Sequence, residues 1–179
     1  MKRENEIRQR VAAQKFRTRN AEFVAELKSL LGSRSNWLST ADAEEASRLA
    51  KEFKAGYESA EPHDWALVKA VWDGAKTPAL VEALNKLSNH LGNREVWLLD
   101  LREEWQAVAL DSEQVLDNPV GFAAVCDQQV ALLDRDVPAG LWLVRHSYHF
   151  RKSTRYEWEL EVWGEPWLSA ATRTLRDVQ

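Results

Sequence analysis

The amino-acid sequence predicts an α+β protein, with helices in the first half of the chain and an antiparallel sheet in the second half. Before residue 93, apolar residues recur every three or four positions, which is the period of an amphipathic helix. After residue 93 the period falls to about two, and turn residues separate short apolar runs. We therefore expect a helical region over 1–93 and a sheet region over 94–179. The 179 residues suffice for one compact domain or for two small ones.

Four helices are predicted in the first region, where they are expected to form a small bundle. The first covers Glu4–Leu31 and ends at Gly32, a residue that tolerates a positive φ. The second begins after Ser39 as its N-cap. The third is a short amphipathic helix over Trp65–Trp72, and the fourth starts at Thr77–Pro78, because proline fits the first turn of a helix.

About six strands are predicted in the second region, arranged as a meander of three hairpins. Their paired segments are Glu95–Leu101 with Trp105–Leu110, Val120–Cys126 with Val130–Asp134, and Leu141–Phe150 with Arg155–Trp163. A single helical turn is expected at Ser112–Leu116. A final helix is expected over Trp167–Arg176, after the break at Gly164 and Pro166.

The last predicted strand has the clearest alternation in the chain. Tyr156, Trp158, Leu160 and Val162 share one face, and Arg155, Glu157, Glu159 and Glu161 share the other. This pattern is typical of a sheet with one buried face and one solvated face. The charged face is either plain solvated surface or a surface that binds a partner. The candidate partner-binding residues are Glu157, Glu159, Glu161 and Arg155, together with Glu103 and Glu104 of the first predicted hairpin.

Charge is unevenly distributed around a net value of −4. The first 19 residues are rich in lysine and arginine. The stretch from residue 95 to 139 is acidic, with Glu95, Asp100, Glu103, Glu104, Asp111, Glu113, Asp117, Asp127, Asp134 and Asp136. Nucleic acid is an unfavourable partner for the acidic half, because phosphate contacts need clustered cations. Only the basic first helix could contact nucleic acid, and weakly. A basic protein is the partner that the acidic half favours.

Cofactor and targeting motifs are missing from the sequence. The single cysteine, Cys126, excludes an internal disulfide and a cysteine zinc cluster. No glycine pattern matches a P-loop or a dinucleotide fold, so no cofactor is predicted. The first residues lack the apolar run of a signal peptide, and no stretch approaches the length of a membrane helix. A cytoplasmic location without membrane contact is therefore expected.

Catalytic candidates are few. Cys126 is a possible nucleophile, but a free cysteine in an apolar run is usually core. His146 and His149 lie three apart on a predicted strand and so face opposite sides, which argues against a shared metal. Asp64 is expected to cap the third helix, and His63 and His90 lie near helix ends. An enzyme would have to assemble Cys126, His146, His149, Glu157 and Glu159 in space.

Nine tryptophans are the unusual feature of the composition, and most of them follow residue 95. Tryptophan fills cores and is also enriched at interface hot spots, so one or two are expected to be exposed for a partner. The segments Trp97–Asp100, Pro119–Phe122 and Gly140–Leu143 belong to no motif that defines a family. In size, acidity and solubility the chain resembles bacterial immunity proteins and antitoxins, which occlude toxins that are often basic nucleases. This resemblance of composition carries over no residues.

Three functions therefore stand as hypotheses. The first is a binding protein of the immunity or antitoxin type that occludes a basic partner through the acidic, tryptophan-rich sheet region. The second is a small adaptor subunit of a larger assembly, such as an anti-phage or regulatory complex, with the basic first helix as its docking element. The third is an enzyme whose site is assembled from residues distant in sequence.

Overall fold

The computed structural model describes residues 2–102, 106–150 and 153–175, with the side chains of 2–6 and 35–37 excepted. The α-helices are α1 (Lys2–Leu31), α2 (Ala43–Ala60), α3 (Thr77–Leu91), α4 (Ser112–Leu116), α5 (Pro119–Val125) and α6 (Trp167–Leu175). The strands are β1 (Ser39–Thr40), β2 (Leu67–Asp73), β3 (Glu95–Asp100), β4 (Gln106–Asp111), β5 (Gln129–Asp134), β6 (Gly140–Phe150) and β7 (Ser153–Trp163). Short 3-10 helices span Gly32–Trp37 and Gly74–Lys76.

One seven-stranded sheet organises the described part of the chain. Its strand order is β1-β4-β3-β5-β6-β7-β2, and every neighbouring pair is antiparallel. The two edge strands, β1 and β2, both come from the first half of the chain, whereas the inner strands come from the second half. The predicted helical region and sheet region therefore share one sheet.

Helices cover both faces of this sheet. On one face, Phe23 and Leu27 of α1, Leu80 and Leu84 of α3, and Trp167 of α6 pack in a single apolar core with the strands. On the other face, α2 packs Ala46, Leu49 and Phe53 against Trp97, Leu99 and Trp163. We call these the α3 face and the α2 face. Val96, Leu98 and Leu99 of β3 are all buried, because strands covered on both faces are apolar at successive positions.

The predicted α+β class, the helices before the sheet and the final helix are confirmed. The hairpins β3–β4 and β6–β7 pair as predicted, and Ser112–Leu116 forms the expected helical turn. Within the described residues the early helices do not pack as a bundle. Helix α2 lies on the face of the sheet opposite α3, because its apolar stripe meets the sheet, and Phe16 of α1 packs against the same cluster as α2.

Two predicted elements were of the wrong type. Val120–Cys126 is helix α5 and not a strand, because Pro119 occupies its first turn and the Asn118 side chain accepts a hydrogen bond from the Gly121 N–H. Trp65–Trp72 was predicted as a helix, but Leu67–Asp73 forms β2, which pairs with β7 over its full length. Asp64 therefore caps no helix at that position.

The helices of the described residues include none whose length and apolar content would allow it to span a membrane.

Candidate functional site

The β6–β7 hairpin carries the residues that the sequence singled out. Both strands are 11 residues long and pair from Gly140 with Trp163 to Phe150 with Ser153. The end near Gly140 lies between the two helical layers, and burial falls steadily towards the other end. On β7 the α2-face side chains change from Glu161, which is 5 % exposed, to the exposed Arg155.

We call the uncovered part of the α2 face the open sheet face. Its members are Lys69, Val71 and Asp73 of β2, Arg155, Glu157 and Glu159 of β7, and Val144, His146, Tyr148 and Phe150 of β6. These side chains share one face because alternate residues of a strand point the same way and cross-strand partners are aligned. Three of them are exposed apolar side chains: Val71 at 51 %, Tyr148 at 46 % and Phe150 at 58 %.

Helix α2 closes the inner end of this face with aromatic contacts. The rings of Phe53 and Tyr57 meet the rings of Trp142 and Trp163 edge-on, with centroids 5.0–6.0 Å apart. The Tyr57 hydroxyl donates a hydrogen bond to Glu161 over 3.2 Å. Burial and the nearby Glu161 carboxylate raise the pKa of Tyr57 to about 12. The phenol therefore stays protonated and can hold Glu161 at neutral pH.

A charged cluster crosses three strands beside this closure. The Lys69 ammonium of β2 forms ion pairs with Glu159 and Glu161 of β7, the second over 3.0 Å. Glu159 also contacts His146 Nε2 of β6 at 2.9 Å. The hydrogen bond from Lys69 lowers the pKa of Glu159. The contact with His146 acts in the same direction, and partial burial acts in the opposite one. The hydrogen bond to Glu159 raises the pKa of Lys69, so both groups remain charged over a wide pH range.

The outer end of the hairpin is held by its own side chains. The Tyr148 hydroxyl donates to Glu157 over 3.0 Å, and the Arg155 guanidinium lies 5.8 Å from the Phe150 ring. On the α3 face, Arg145 lies 3.9 Å from the Tyr156 ring and 5.6 Å from the Trp158 ring. These local contacts order a hairpin end that none of the described helices covers.

The predicted partner-binding residues therefore have different environments. Arg155, Glu157, Glu159 and Glu161 do share one face. That face is not solvated throughout, because α2 and Lys69 bury Glu161. Their role in partner binding stays a prediction. Glu103 and Glu104 lie outside the described residues.

The catalytic candidates do not meet as a group. Cys126 is fully buried in the core of the α3 face, and burial raises the pKa of its thiol far above the ordinary range. His146 and Glu159 are in contact, but on the α2 face, so the sheet separates them from Cys126. His149 contacts Thr154 at 3.2 Å. A buried, protonated thiol is a poor nucleophile.

The other histidines have structural partners. His90 Nδ1 lies 3.1 Å from the Thr174 hydroxyl and thus links α3 to α6. His63 stacks on Trp65, whose side chain is 78 % exposed. No group of three or more histidine, cysteine, aspartate or glutamate side chains in the described ranges could hold a metal ion.

The tryptophans divide as the sequence suggests. Trp72, Trp97, Trp158, Trp163 and Trp167 are buried, Trp142 is partly buried, and Trp65 is exposed. Trp105 and the side chain of Trp37 lie outside the described part. The one strongly exposed tryptophan of the described residues, Trp65, precedes β2 and does not belong to the sheet half.

Sequence reasoning missed Lys69, Val71 and Asp73 as members of the site, because it assigned their segment to a helix. The available signal was the alternate apolar positions Val68, Ala70 and Trp72, with Lys69 and Asp73 on the other face, although the apolar Val71 interrupts that alternation. Comparison of the chain with family models, with curated proteins and with solved structures found no match.

Proposed function

We propose that this chain is a protein-binding module of the immunity or antitoxin type, and that its open sheet face binds a basic protein partner. The observation that carries the proposal is the exposed, ordered combination of Tyr148 and Phe150 with acidic side chains on that face. Aromatic side chains at the centre of a polar rim are the usual composition of an interface hot spot.

The charge of the open sheet face favours a basic partner. The carboxylates of Asp73, Glu157 and Glu159 outnumber the cations of Lys69 and Arg155. Lys69 is already engaged by Glu159 and Glu161. Among the described residues, neither Asp73 nor Glu157 takes part in an ion pair, so both keep their negative charge available to a cation from outside. Complementary charge of this kind raises the association rate and selects the partner.

The geometry favours binding over catalysis. Lys69, Glu159 and His146 satisfy one another in one cluster, and the face around them is open to solvent. Acid–base catalysis usually requires a concave site in which titratable groups face a substrate. An open sheet face with exposed aromatic side chains is suited to the surface of another protein.

Affinity capture with a matched pair of variants tests the proposal. The face variant carries Tyr148→Ala, Phe150→Ala and Glu157→Lys. The control variant carries Val120→Ala and Asp117→Lys, which alter exposed residues at α4–α5 on the α3 side of the sheet. We expect the wild type and the control variant to recover a basic protein from a lysate of the source organism. The face variant should not recover it.

Neutralisation provides the second readout for the immunity-type function. Expression of the captured basic protein should slow growth, and coexpression of the wild-type chain should restore it. The face variant should fail to restore growth at equal abundance. Equal recovery of every protein by wild type and face variant, or a captured partner without a growth effect, would contradict the corresponding part of the proposal.

The exposed start of α1 favours the adaptor function as a second candidate. Residues 7–19 are exposed except for the partly buried Phe16, and Ile7 and Val11 lie one turn apart with 56 % and 51 % exposure. An apolar pair on a basic helix is suited to a groove on a larger subunit. If the adaptor function holds, Ile7→Ser with Val11→Ser should remove captured proteins that the face variant retains.

A further inference from the structure

The two edges of the sheet differ sharply in length. Edge strand β1 has two residues, Ser39–Thr40, and so offers almost no template for another strand. Edge strand β2 has seven residues, Leu67–Asp73, and pairs with β7 without a gap in register. A long, regular edge without proline or a bulge is a template on which a further strand can form.

The backbone of β2 has unused hydrogen-bonding capacity. The strand order of the described chain places β7 on one side of β2 and no strand on the other. Beyond the β2–β7 ladder, no hydrogen bond among the described residues involves the backbone of residues 67–73. The N–H and C=O groups that point away from β7 are therefore available to a strand from outside.

The usual charge protection of an edge is weakened in β2. A lysine on an edge strand normally discourages pairing, because burial of its ammonium is costly. Here Glu159 and Glu161 of the neighbouring strand already neutralise Lys69. The adjacent Val71 is an apolar side chain with 51 % exposure. Pairing along this edge would cover Val71 without leaving an isolated cation.

We propose that β2 pairs antiparallel with β2 of a second copy of this chain, with the two-fold axis at Val71. This inference does not depend on the proposed function. The axis places Val71 opposite Val71 of the second copy and Lys69 opposite Asp73 of the second copy. Opposite charges and apolar pairs in these cross-strand positions stabilise a sheet. By symmetry the Lys69–Asp73 pair occurs twice, which makes the edge self-complementary.

Other registers are less favourable. An axis at Lys69 would place the two lysines opposite each other, and like charges in that position are destabilising. An axis at Ala70 would place Lys69 opposite Val71 and Asp73 opposite Leu67, so that neither charge meets its complement directly. Each of these axes runs perpendicular to the sheet and keeps the two open sheet faces on the same side, so the side-chain pairs alone distinguish the registers.

Sedimentation equilibrium of the full chain tests the association. We expect wild type to dimerise at high micromolar concentration. The dissociation constant of the Val71→Lys dimer should be at least about tenfold larger, because the substitution places two ammonium groups opposite each other. Val120→Lys, which alters an exposed valine on α5, should dimerise like wild type. A monomeric wild type, or a Val71→Lys variant that dimerises equally well, would overturn the proposal.

Disulfide trapping tests the register and covers the case in which Val71→Lys fails to fold. Directly opposed residues of an antiparallel pair have Cα atoms about 4.5–5.5 Å apart, which is within the range that a disulfide spans. Val71→Cys should therefore form a covalent dimer on mild oxidation, and Val120→Cys should not. The native Cys126 is fully buried and does not compete. No covalent dimer of Val71→Cys, or equal trapping of both variants, would refute the pairing.

Discussion

The two ends of the β6–β7 hairpin have similar sequence patterns but different environments. At the inner end, Leu160 and Val162 face one core, and Trp163 and Glu161 lie beneath α2. At the outer end, Tyr156, Tyr148 and Phe150 alternate in the same way but are exposed. The comparison shows that alternation determines which side chains share a face, whereas the position of the covering helices determines which of them reach solvent.

The largest effect is expected from a pair of aromatic residues on the α3 face of β7. Trp158 is 2 % exposed and its indole N–H donates to the Thr77 hydroxyl over 3.1 Å, whereas Tyr156, two residues earlier, is 40 % exposed. Trp158→Ala should lower the free energy of unfolding by about 3–5 kcal/mol. Tyr156→Ala should lower it by about 1 kcal/mol or less. Urea denaturation of both variants measures the difference, and equal losses would remove the distinction between the two ends.

A comparable effect is expected at Asp134, the last residue of β5. Asp134 is buried and accepts hydrogen bonds from Arg94 and from the Trp167 indole, the latter over 2.7 Å. Burial alone would raise the pKa of Asp134, but these hydrogen bonds outweigh it and lower the pKa. Asp134→Ala should cost about 3 kcal/mol or more, because it leaves Arg94 and the Trp167 N–H without this partner. Asp136→Ala, nearby and exposed, is the control, and a similar cost for both would contradict this role.

An intermediate effect is expected from two glutamates of the α2 face. Glu161 accepts hydrogen bonds from Tyr57 and Lys69, whereas Glu157 accepts one from the exposed Tyr148. Glu161→Ala should cost about 1–3 kcal/mol, since it removes the shorter of the two hydrogen bonds of the Tyr57 hydroxyl and a partner of Lys69. Glu157→Ala should change stability by about 0.5 kcal/mol or less. A larger loss of stability for Glu157→Ala than for Glu161→Ala in thermal unfolding would contradict the structural role of Glu161.

The smallest effect is a pH dependence. The lowered pKa of Glu159 means that its ion pair stabilises the fold above the ordinary pKa of a glutamate, and that this stabilisation is lost as pH falls through the lowered pKa. Glu159→Gln should therefore lose less stability than wild type between about pH 5 and pH 3. Unfolding midpoints across that range give the comparison. Parallel curves for the two proteins would exclude a contribution from the Lys69–Glu159 pair.

The sequence predicted the hairpin well, because local alternation determines the faces of β7 and the turn residues around 136–140 determine where β6 begins. It did not reveal that Glu161 is buried, since the partners Tyr57 and Lys69 lie 104 and 92 residues away in the chain. It also misassigned β2, whose apolar residues fit a short helix as well as a strand. Pairing with β7 decides between these structures, and such a tertiary contact leaves no local signal.

In the function proposed above, the outer end of the hairpin binds a basic protein while the inner end maintains the fold. Isothermal titration of the captured basic protein into wild type, the face variant and the control variant tests it most directly, with thermal unfolding of each chain alongside. We predict an affinity for the face variant at least about tenfold below wild type, with an unchanged unfolding midpoint and a control variant that binds normally. Equal affinities for wild type and face variant would contradict the claim.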